Sequence, residues 1–132
     1  MSRVATTTVR VRYAETDQMG VAWHGEYLAW FEVGRTDLLR ELGCTYRELE
    51  AQGLRLPVIE MRARFLRPAR YDDVLEIRTL VTEMGRARMS FDYEVRREGT
   101  DGPLASGSTT HAAVDLDGRP RRLPEDLRRR LG

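Results

Sequence analysis

The chain has 132 residues, 41% of them hydrophobic and 33% charged, with a formal net charge of +1 at pH 7. This length predicts one domain with a single core over residues 1–132. The near-neutral net charge gives no electrostatic reason to expect binding to nucleic acid or to a membrane surface. All 22 basic residues are arginine, which excludes Schiff-base, pyridoxal phosphate and Walker-type chemistry because each requires a lysine amine.

The first predicted element is a strand from Thr6 to Tyr13, where apolar side chains alternate with Arg10 and Arg12. The strand leads into a polar turn that contains Asp17. A carboxylate therefore stands in the loop between this strand and the helical segment that follows.

The longest helical pattern begins at His24 and ends before Gly43, a glycine typical of the position after a helix. Its apolar stripe, which predicts a buried central helix, comprises Tyr27, Phe31, Gly34, Leu38 and Leu42, with Leu28 and Leu39 beside it. Gly34 is expected to permit close approach of a sheet. The helix start has no Ser, Thr, Asp or Asn cap, so we expect its first-turn backbone N–H groups to be open to a ligand oxygen.

Four strands and two short helices are predicted after the central helix. Thr45 and Glu48 have the spacing of a capping box, which predicts a short helix ending near Gly53. Alternating patterns and turn residues predict strands over Val58–Leu66, Val74–Glu83, Arg86–Arg96 and Leu104–Asp115, and a last short helix over Pro124–Leu131.

This order predicts an α+β fold, because strands joined by short turns become antiparallel neighbours. A five-stranded antiparallel sheet wrapped around one long central helix lets each element bury its apolar face. The outer sheet face and the sheet edges need a cover, so we expect at least a homodimer.

Two motifs resemble a known family. The first is Val11–Val21, VRYAETDQMGV, continued by His24, Tyr27 and the Phe31-Glu32 pair, and the second is Phe65–Leu75, FLRPARYDDVL. Both resemble the hot-dog-fold thioesterases of the 4-hydroxybenzoyl-CoA thioesterase type, and the similarity spans about Val9 to Val114. A second hot-dog type, which places its catalytic glutamate on the central helix, fits less well because this chain has the loop aspartate.

The resemblance implies hydrolysis of an acyl-CoA or aroyl-CoA thioester, without metal or cofactor, at a site between subunits of a dimer or a dimer of dimers. It implies that Asp17 is the catalytic general base or nucleophile and that the backbone N–H of His24 is an oxyanion donor. Gly25 and Tyr27 are expected to contact substrate. Each has a structural alternative: Asp17 as a turn residue, His24 as a loop-packing residue and Tyr27 as a core aromatic.

Coenzyme A carries several phosphates, which guanidinium groups hold well. The candidates are Arg62 and Arg64 on one strand and Arg86 and Arg88 on another, although strand arginines are more often simply solvated. Glu32 and Arg35, three residues apart, are expected to form a local ion pair. We expect His111 to be structural.

Other features bound the function further. A single cysteine and two separated histidines predict no metal site, and the absence of a long apolar run predicts a cytoplasmic protein that does not enter membranes. Three alternatives to an acyl-CoA thioesterase stay open: a non-catalytic acyl-CoA-binding module on the same fold, a thioesterase acting on acyl-carrier protein, and a hot-dog hydratase, whose histidine-rich motif is not found here.

Overall fold

The structure is a computed structural model that describes residues 4–131. In chain order the elements are β1 (Val4–Arg10), a short 3-10 helix (Tyr13–Glu15), α1 (Glu26–Glu41), α2 (Tyr46–Ala51), β2 (Val58–Phe65), β3 (Val74–Met84), β4 (Arg88–Arg97), β5 (Pro103–Ala112) and α3 (Glu125–Leu131). Every predicted strand and helix is therefore present, with ends that differ from the sequence prediction by a few residues.

The five strands form one antiparallel sheet in the order β1-β3-β4-β5-β2. The predicted α+β architecture, in which the sheet wraps around one long helix, is confirmed. Strands β1 and β2 lie at the two edges, and within the described residues β2 pairs with β5 alone.

Helix α1 packs against the inner face of the sheet through the predicted stripe. The ring of Phe31 stacks on Tyr93 of β4 at a centroid distance of 4.3 Å. A Cβ atom at Gly34 would lie 2.3 Å from the Thr79 Oγ1 atom of β3. Glycine is thus required for this close approach, as the sequence predicted, because any larger residue would overlap the sheet.

Two residues assigned to buried positions are instead exposed. Tyr13 lies in the 3-10 helix and is 78% exposed, and Leu28 on α1 is 44% exposed. The strand stops early because the Glu15 carboxylate accepts the backbone N–H of Arg12 and turns the chain. The exposed ring of Tyr13 packs edge-on against Tyr71.

The predicted ion pair between Glu32 and Arg35 is wrong. Arg35 is only 9% exposed and points into the core, where it contacts the hydroxyls of Tyr46 and Tyr93. Burial acts to lower the pKa of Arg35, but the two tyrosines outweigh this effect and the net shift is upward. Arg35 therefore belongs to a polar cluster inside the core and not to the helix surface.

That cluster continues to His111, whose predicted structural role is confirmed. The Tyr93 hydroxyl and Thr109 Oγ1 lie 2.6 Å apart, and Thr109 Oγ1 is 2.8 Å from His111 Nε2. On its other side, His111 Nδ1 is 2.9 Å from the carbonyl oxygen of Leu56. Burial lowers the pKa of His111, so the ring is held neutral; it then donates from Nδ1 to the Leu56 carbonyl and accepts at Nε2.

The Thr45 half of the predicted capping box is confirmed, because Thr45 Oγ1 accepts the backbone N–H of Glu48 at 3.2 Å; among the described residues, the Glu48 side chain does not return this bond to the Thr45 N–H. Within residues 4–131 no helix is both long enough and apolar enough to cross a membrane. Over the same residues, no group of three His, Cys, Asp or Glu side chains is placed to hold a metal ion.

Candidate active site

A tight loop between β1 and α1 holds Asp17 in place. Thr16 and Ala22 form an isolated antiparallel bridge, and the Asp17 N–H donates to the Val21 carbonyl at 3.0 Å. The loop reverses at Gly20, whose φ of +80° is a conformation that glycine adopts without strain. The carboxylate is therefore presented by a closed backbone ring and not by a flexible connection.

Asp17 is half-buried, and its Oδ1 atom accepts the Met19 N–H at 2.9 Å. This contact is the turn role that the sequence analysis kept as an alternative. Among residues 4–131 the Oδ2 atom accepts no hydrogen bond, so one oxygen orients the carboxylate and the other is available for chemistry. The turn role and a catalytic role are thus compatible.

Glu15 anchors the loop to the helix, a role that the sequence analysis did not identify. Its carboxylate is 6% exposed; Oε1 accepts the Arg12 N–H at 2.8 Å and Oε2 accepts the Trp30 indole N–H at 3.4 Å. Its carbonyl oxygen also accepts the Trp23 N–H at 2.8 Å. The only sequence signal is a carboxylate two residues before Asp17, which does not by itself predict burial.

We expected the backbone N–H groups in the first turn of α1 to lack acceptors, and this prediction is wrong for the first turn as the structure defines it. The N–H groups of Glu26, Tyr27 and Leu28 donate to the carbonyls of Trp23, His24 and Gly25 at 2.9, 3.3 and 3.3 Å. The helix begins at Glu26, two residues later than predicted, because this tight turn satisfies its first donors.

Two backbone N–H groups lie just before the helix start. Within residues 4–131 neither the His24 N–H nor the Gly25 N–H has a hydrogen-bond acceptor. Gly25 has little space for a side chain, since an added Cβ would lie 2.1 Å from Cζ3 of the Trp23 ring. The open donors therefore sit at the residues that the sequence analysis singled out, but before the helix and not in its first turn.

A cavity of about 300 Å³ opens beside the loop, and we call it the aspartate pocket. Its walls include Asp17, His24, Tyr27, Phe65 and Arg67. His24 is exposed, and its ring lies 6.4 Å from that of Phe65 in an edge-on arrangement. Asp17, His24 and Tyr27, all predicted to belong to the site, are thus brought together.

A second cavity of about 260 Å³ adjoins the first, and we call it the apolar pocket. Its walls are Leu28, Phe31, Met61 and Ala63, together with Gly25 and the three residues that it shares with the aspartate pocket, His24, Tyr27 and Phe65. Leu28, assigned to the core by its periodicity, lines this cavity. A carboxylate-bearing space and an apolar space therefore lie side by side.

Tyr27 is a core aromatic that also lines the candidate site. It is 3% exposed, with its ring 4.7 Å from Trp30 and 4.9 Å from Phe65, and it lines both pockets. Burial raises the pKa of its hydroxyl, although the nearby backbone N–H of Ala69 acts in the opposite direction. Tyr27 is therefore a buried aromatic with a neutral hydroxyl beside the site.

The four predicted phosphate-binding arginines lie away from the Asp17 loop in this chain. Arg62 and Arg64 border a groove of about 580 Å³ with Arg78. Arg88 begins β4 and pairs with Ala112 at the sheet end opposite Phe65, and Arg86 precedes it.

Arg67 is the arginine that lines the aspartate pocket, and the sequence analysis did not single it out. Its Nη2 atom donates to the carbonyl oxygens of Asp101 at 2.6 Å and Gly102 at 3.0 Å. Arg67 lies two residues after Phe65, the last residue of β2. This position just after a strand end was the sequence signal that could have identified it.

The long helix wrapped by an antiparallel sheet, with a carboxylate loop at the helix start, defines a hot-dog-fold enzyme. The model of the thioesterase superfamily matches residues 19–103. Acyl-CoA thioester hydrolase YbgC of Escherichia coli O6:H1 is 36% identical over 121 residues, which are 90% of this chain and 89% of that protein. The chain therefore belongs to the thioesterase superfamily, and it is a thioester hydrolase.

Solved structures agree with this assignment. The DHNA-CoA thioesterase of Staphylococcus aureus superposes with a TM-score of 0.87 at 35% identity, covering 91% of this chain and 80% of that one. A 4-hydroxybenzoyl CoA thioesterase superposes with a TM-score of 0.89 over 98% of this chain and 99% of that one; at 22% identity it supports the fold alone. The hot-dog fold predicted from the motifs is confirmed.

Proposed function

We propose that the chain hydrolyses the thioester of a small or medium acyl-CoA or aroyl-CoA to the free acid and CoA, without a metal or cofactor. One observation carries this proposal. The oriented carboxylate of Asp17 and the open N–H donors of His24 and Gly25 border adjoining pockets, one of which is apolar. A thioester needs these two elements, a base or nucleophile and an oxyanion site.

In the proposed reaction the acyl group lies in the apolar pocket and the thioester carbonyl points at the His24 and Gly25 N–H groups. Asp17 then either takes a proton from water, which attacks the carbonyl carbon, or attacks that carbon itself and forms an anhydride that water opens. In both cases the developing negative charge on the carbonyl oxygen is stabilised by the two backbone donors. The products are a carboxylic acid and the CoA thiol.

The names of the relatives support CoA thioesters as the substrate class. YbgC is named an acyl-CoA thioester hydrolase and the Staphylococcus aureus protein a DHNA-CoA thioesterase. One of these names is general and the other specifies a single acyl group, so the substrate test below covers several classes of acyl group.

We further propose a homodimer, or a dimer of dimers, built in part on β2. This edge strand leaves Ile59, Met61 and Phe65 exposed by 49%, 39% and 51%. An exposed apolar edge strand is a surface that proteins normally pair or cover. In such an assembly a second protomer contributes its own arginines to the site. The candidates for binding the CoA phosphates are Arg62, Arg64, Arg86, Arg88 and, in addition, Arg67.

The cytoplasmic location also stays a prediction.

The test is thiol release from a panel of short, long, branched and aromatic acyl-CoA thioesters by the wild type and Asp17→Asn. Asparagine keeps the Oδ1 acceptor for the Met19 N–H, so the loop is preserved while the carboxylate is lost. We expect turnover to fall by at least about 100-fold with unchanged thermal stability.

Other outcomes separate the alternatives. Equal turnover by wild type and variant would remove Asp17 from the mechanism. Binding of acyl-CoA without thiol release would favour a non-catalytic binding module, and release only from acyl-carrier protein would favour a carrier-protein thioesterase.

A further inference from the structure

Phe65 stands at the boundary between the two pockets. It is the last residue of β2 and is 51% exposed. Its ring meets Tyr27 edge-on at 4.9 Å and His24 edge-on at 6.4 Å, and these three residues are the walls that the pockets share. An acyl group that extends from the thioester near Asp17 into the apolar pocket therefore passes the Phe65 ring.

The other walls of the apolar pocket are fixed by packing. Phe31 is completely buried and stacks on Tyr93 at 4.3 Å, and Tyr27 is 3% exposed. At the far side, a Cβ placed on Gly107 would lie 2.6 Å from the Phe31 ring, so the sheet touches this ring directly. These walls have little freedom, because close-packed interiors resist displacement.

Within the chain, Phe65 is less constrained by packing than Tyr27. Among residues 4–131, its edge strand pairs with β5 alone, and Phe65 lies opposite Ala105. Tyr27 is buried in the core, whereas His24 is exposed and the first turn of α1 holds only its backbone carbonyl. The size of the Phe65 side chain thus sets how far the two pockets open into each other.

We propose that Phe65 is a specificity-determining residue that limits the length of the acyl group by partitioning the two pockets. The inference rests on the proposed acyl-CoA thioesterase function. Short acyl groups fit the apolar pocket with the ring in place, whereas longer chains require the ring to move. A smaller residue at position 65 joins the pockets and admits longer chains.

The experiment measures kcat/KM over a series of straight-chain acyl-CoA thioesters from acetyl to palmitoyl for the wild type, Phe65→Leu and Phe65→Ala. Ile59→Ala is the matched control, because Ile59 lies on the same strand, is 49% exposed, and lines neither pocket. It reproduces the loss of an exposed apolar group from the edge strand, including any effect on assembly. Thermal denaturation shows that each variant is folded.

We expect the ratio of long-chain to short-chain kcat/KM to rise by at least about tenfold in Phe65→Ala, with Phe65→Leu between it and the wild type. Ile59→Ala should keep the ratio of the wild type. An unchanged ratio in both Phe65 variants, their inactivity on every chain length while folded, or an equal shift in Ile59→Ala would overturn the proposal. A wild type that releases no thiol from any member of the series would instead refute the proposed function, and the inference would fall with it.

Discussion

The carboxylate of Glu15 accepts a hydrogen bond from the indole N–H of Trp30 at 3.4 Å, and both residues are buried. This contact joins the loop that carries Asp17 to the second turn of α1. The position of the proposed catalytic carboxylate relative to the helix start is therefore set by a buried side chain that does not itself line the pockets.

The first prediction concerns this anchor. Glu15→Gln retains one acceptor oxygen for two donors, the Arg12 N–H and the Trp30 indole. Leaving a buried donor unpaired costs about 1–3 kcal/mol, so we expect the free energy of unfolding to fall by that amount. Urea denaturation measures the loss. Glu41→Gln, an exposed carboxylate at the end of α1, is the control and should change stability by less than about 0.5 kcal/mol. Equal effects of the two changes would contradict the anchoring role.

The second prediction separates the two roles of His24. Alanine at this position keeps the backbone N–H that we assign to the oxyanion site and removes only an exposed imidazole. We expect kcat to fall by less than about tenfold, in contrast to the larger loss in Asp17→Asn, because the donor and the base are both retained. Steady-state thiol release compares the two variants. A loss in His24→Ala as large as that in Asp17→Asn would make the imidazole part of the chemistry.

The third prediction concerns the contact between Trp23 and Gly25. Gly25→Ala places a Cβ within 2.1 Å of the Trp23 ring, so the ring or the backbone must shift. We expect kcat to fall, since the displaced backbone carries an N–H group that we propose as an oxyanion donor. The double variant Trp23→Ala/Gly25→Ala removes the obstacle and should recover most of the rate of Trp23→Ala alone. If the double variant is as impaired as Gly25→Ala, the ring is not the cause.

The fourth prediction is a pH dependence of stability that originates at His111. Burial lowers the pKa of His111 below its ordinary value of 6.5, an effect that the Leu56 carbonyl opposes and the charge of Arg35 reinforces. The unfolded chain therefore binds a proton more readily than the folded chain. Stability from this group is complete above pH 6.5 and declines as the pH falls from 6.5 towards the lower folded-state pKa.

The measurement is the free energy of unfolding of the wild type and His111→Gln between about pH 8 and about pH 5. Glutamine does not titrate, so the variant should lose less stability over this range than the wild type, whatever its stability at neutral pH. The groups that face the ring, Thr109, Phe91 and the Leu56 carbonyl, stay the same in both proteins. Identical pH profiles would show that His111 does not titrate on unfolding.

The fold was largely predictable because its signals are local. Alternation along β4 and the stripe on α1 each reflect a single element meeting a single interface. Even the close approach at Gly34 could be predicted, because a glycine in an apolar helical stripe leaves room for the backbone of a neighbouring element. The hot-dog motifs then identified the carboxylate loop and its place before the helix.

What the sequence could not reveal depends on distant contacts. The burial of Glu15 and Arg35 follows from partners fifteen or more positions away or on other elements, Trp30 in the first case and Tyr93 in the second. Arg86 and Arg88 do not meet Asp17 within the chain because alternation reports the face of a side chain but not the end of the sheet at which it lies. Arg62 and Arg64 lie on the strand that ends at Phe65 but border a separate groove. The start of α1 was placed two residues too early because the hydrogen bonds of the first helical turn depend on its backbone geometry.

The sheet order has a consequence for how the chain is made. Strand β2 precedes β3, β4 and β5 in sequence, yet within residues 4–131 its only sheet partner is β5, the last strand to be synthesised. A growing chain therefore presents β2, with its apolar side chains, unpaired until Pro103–Ala112 have left the ribosome. The wall that contains Phe65 is among the last parts of the enzyme to form, so a chain that stops before Pro103 carries the Asp17 loop but no completed pocket for an acyl group.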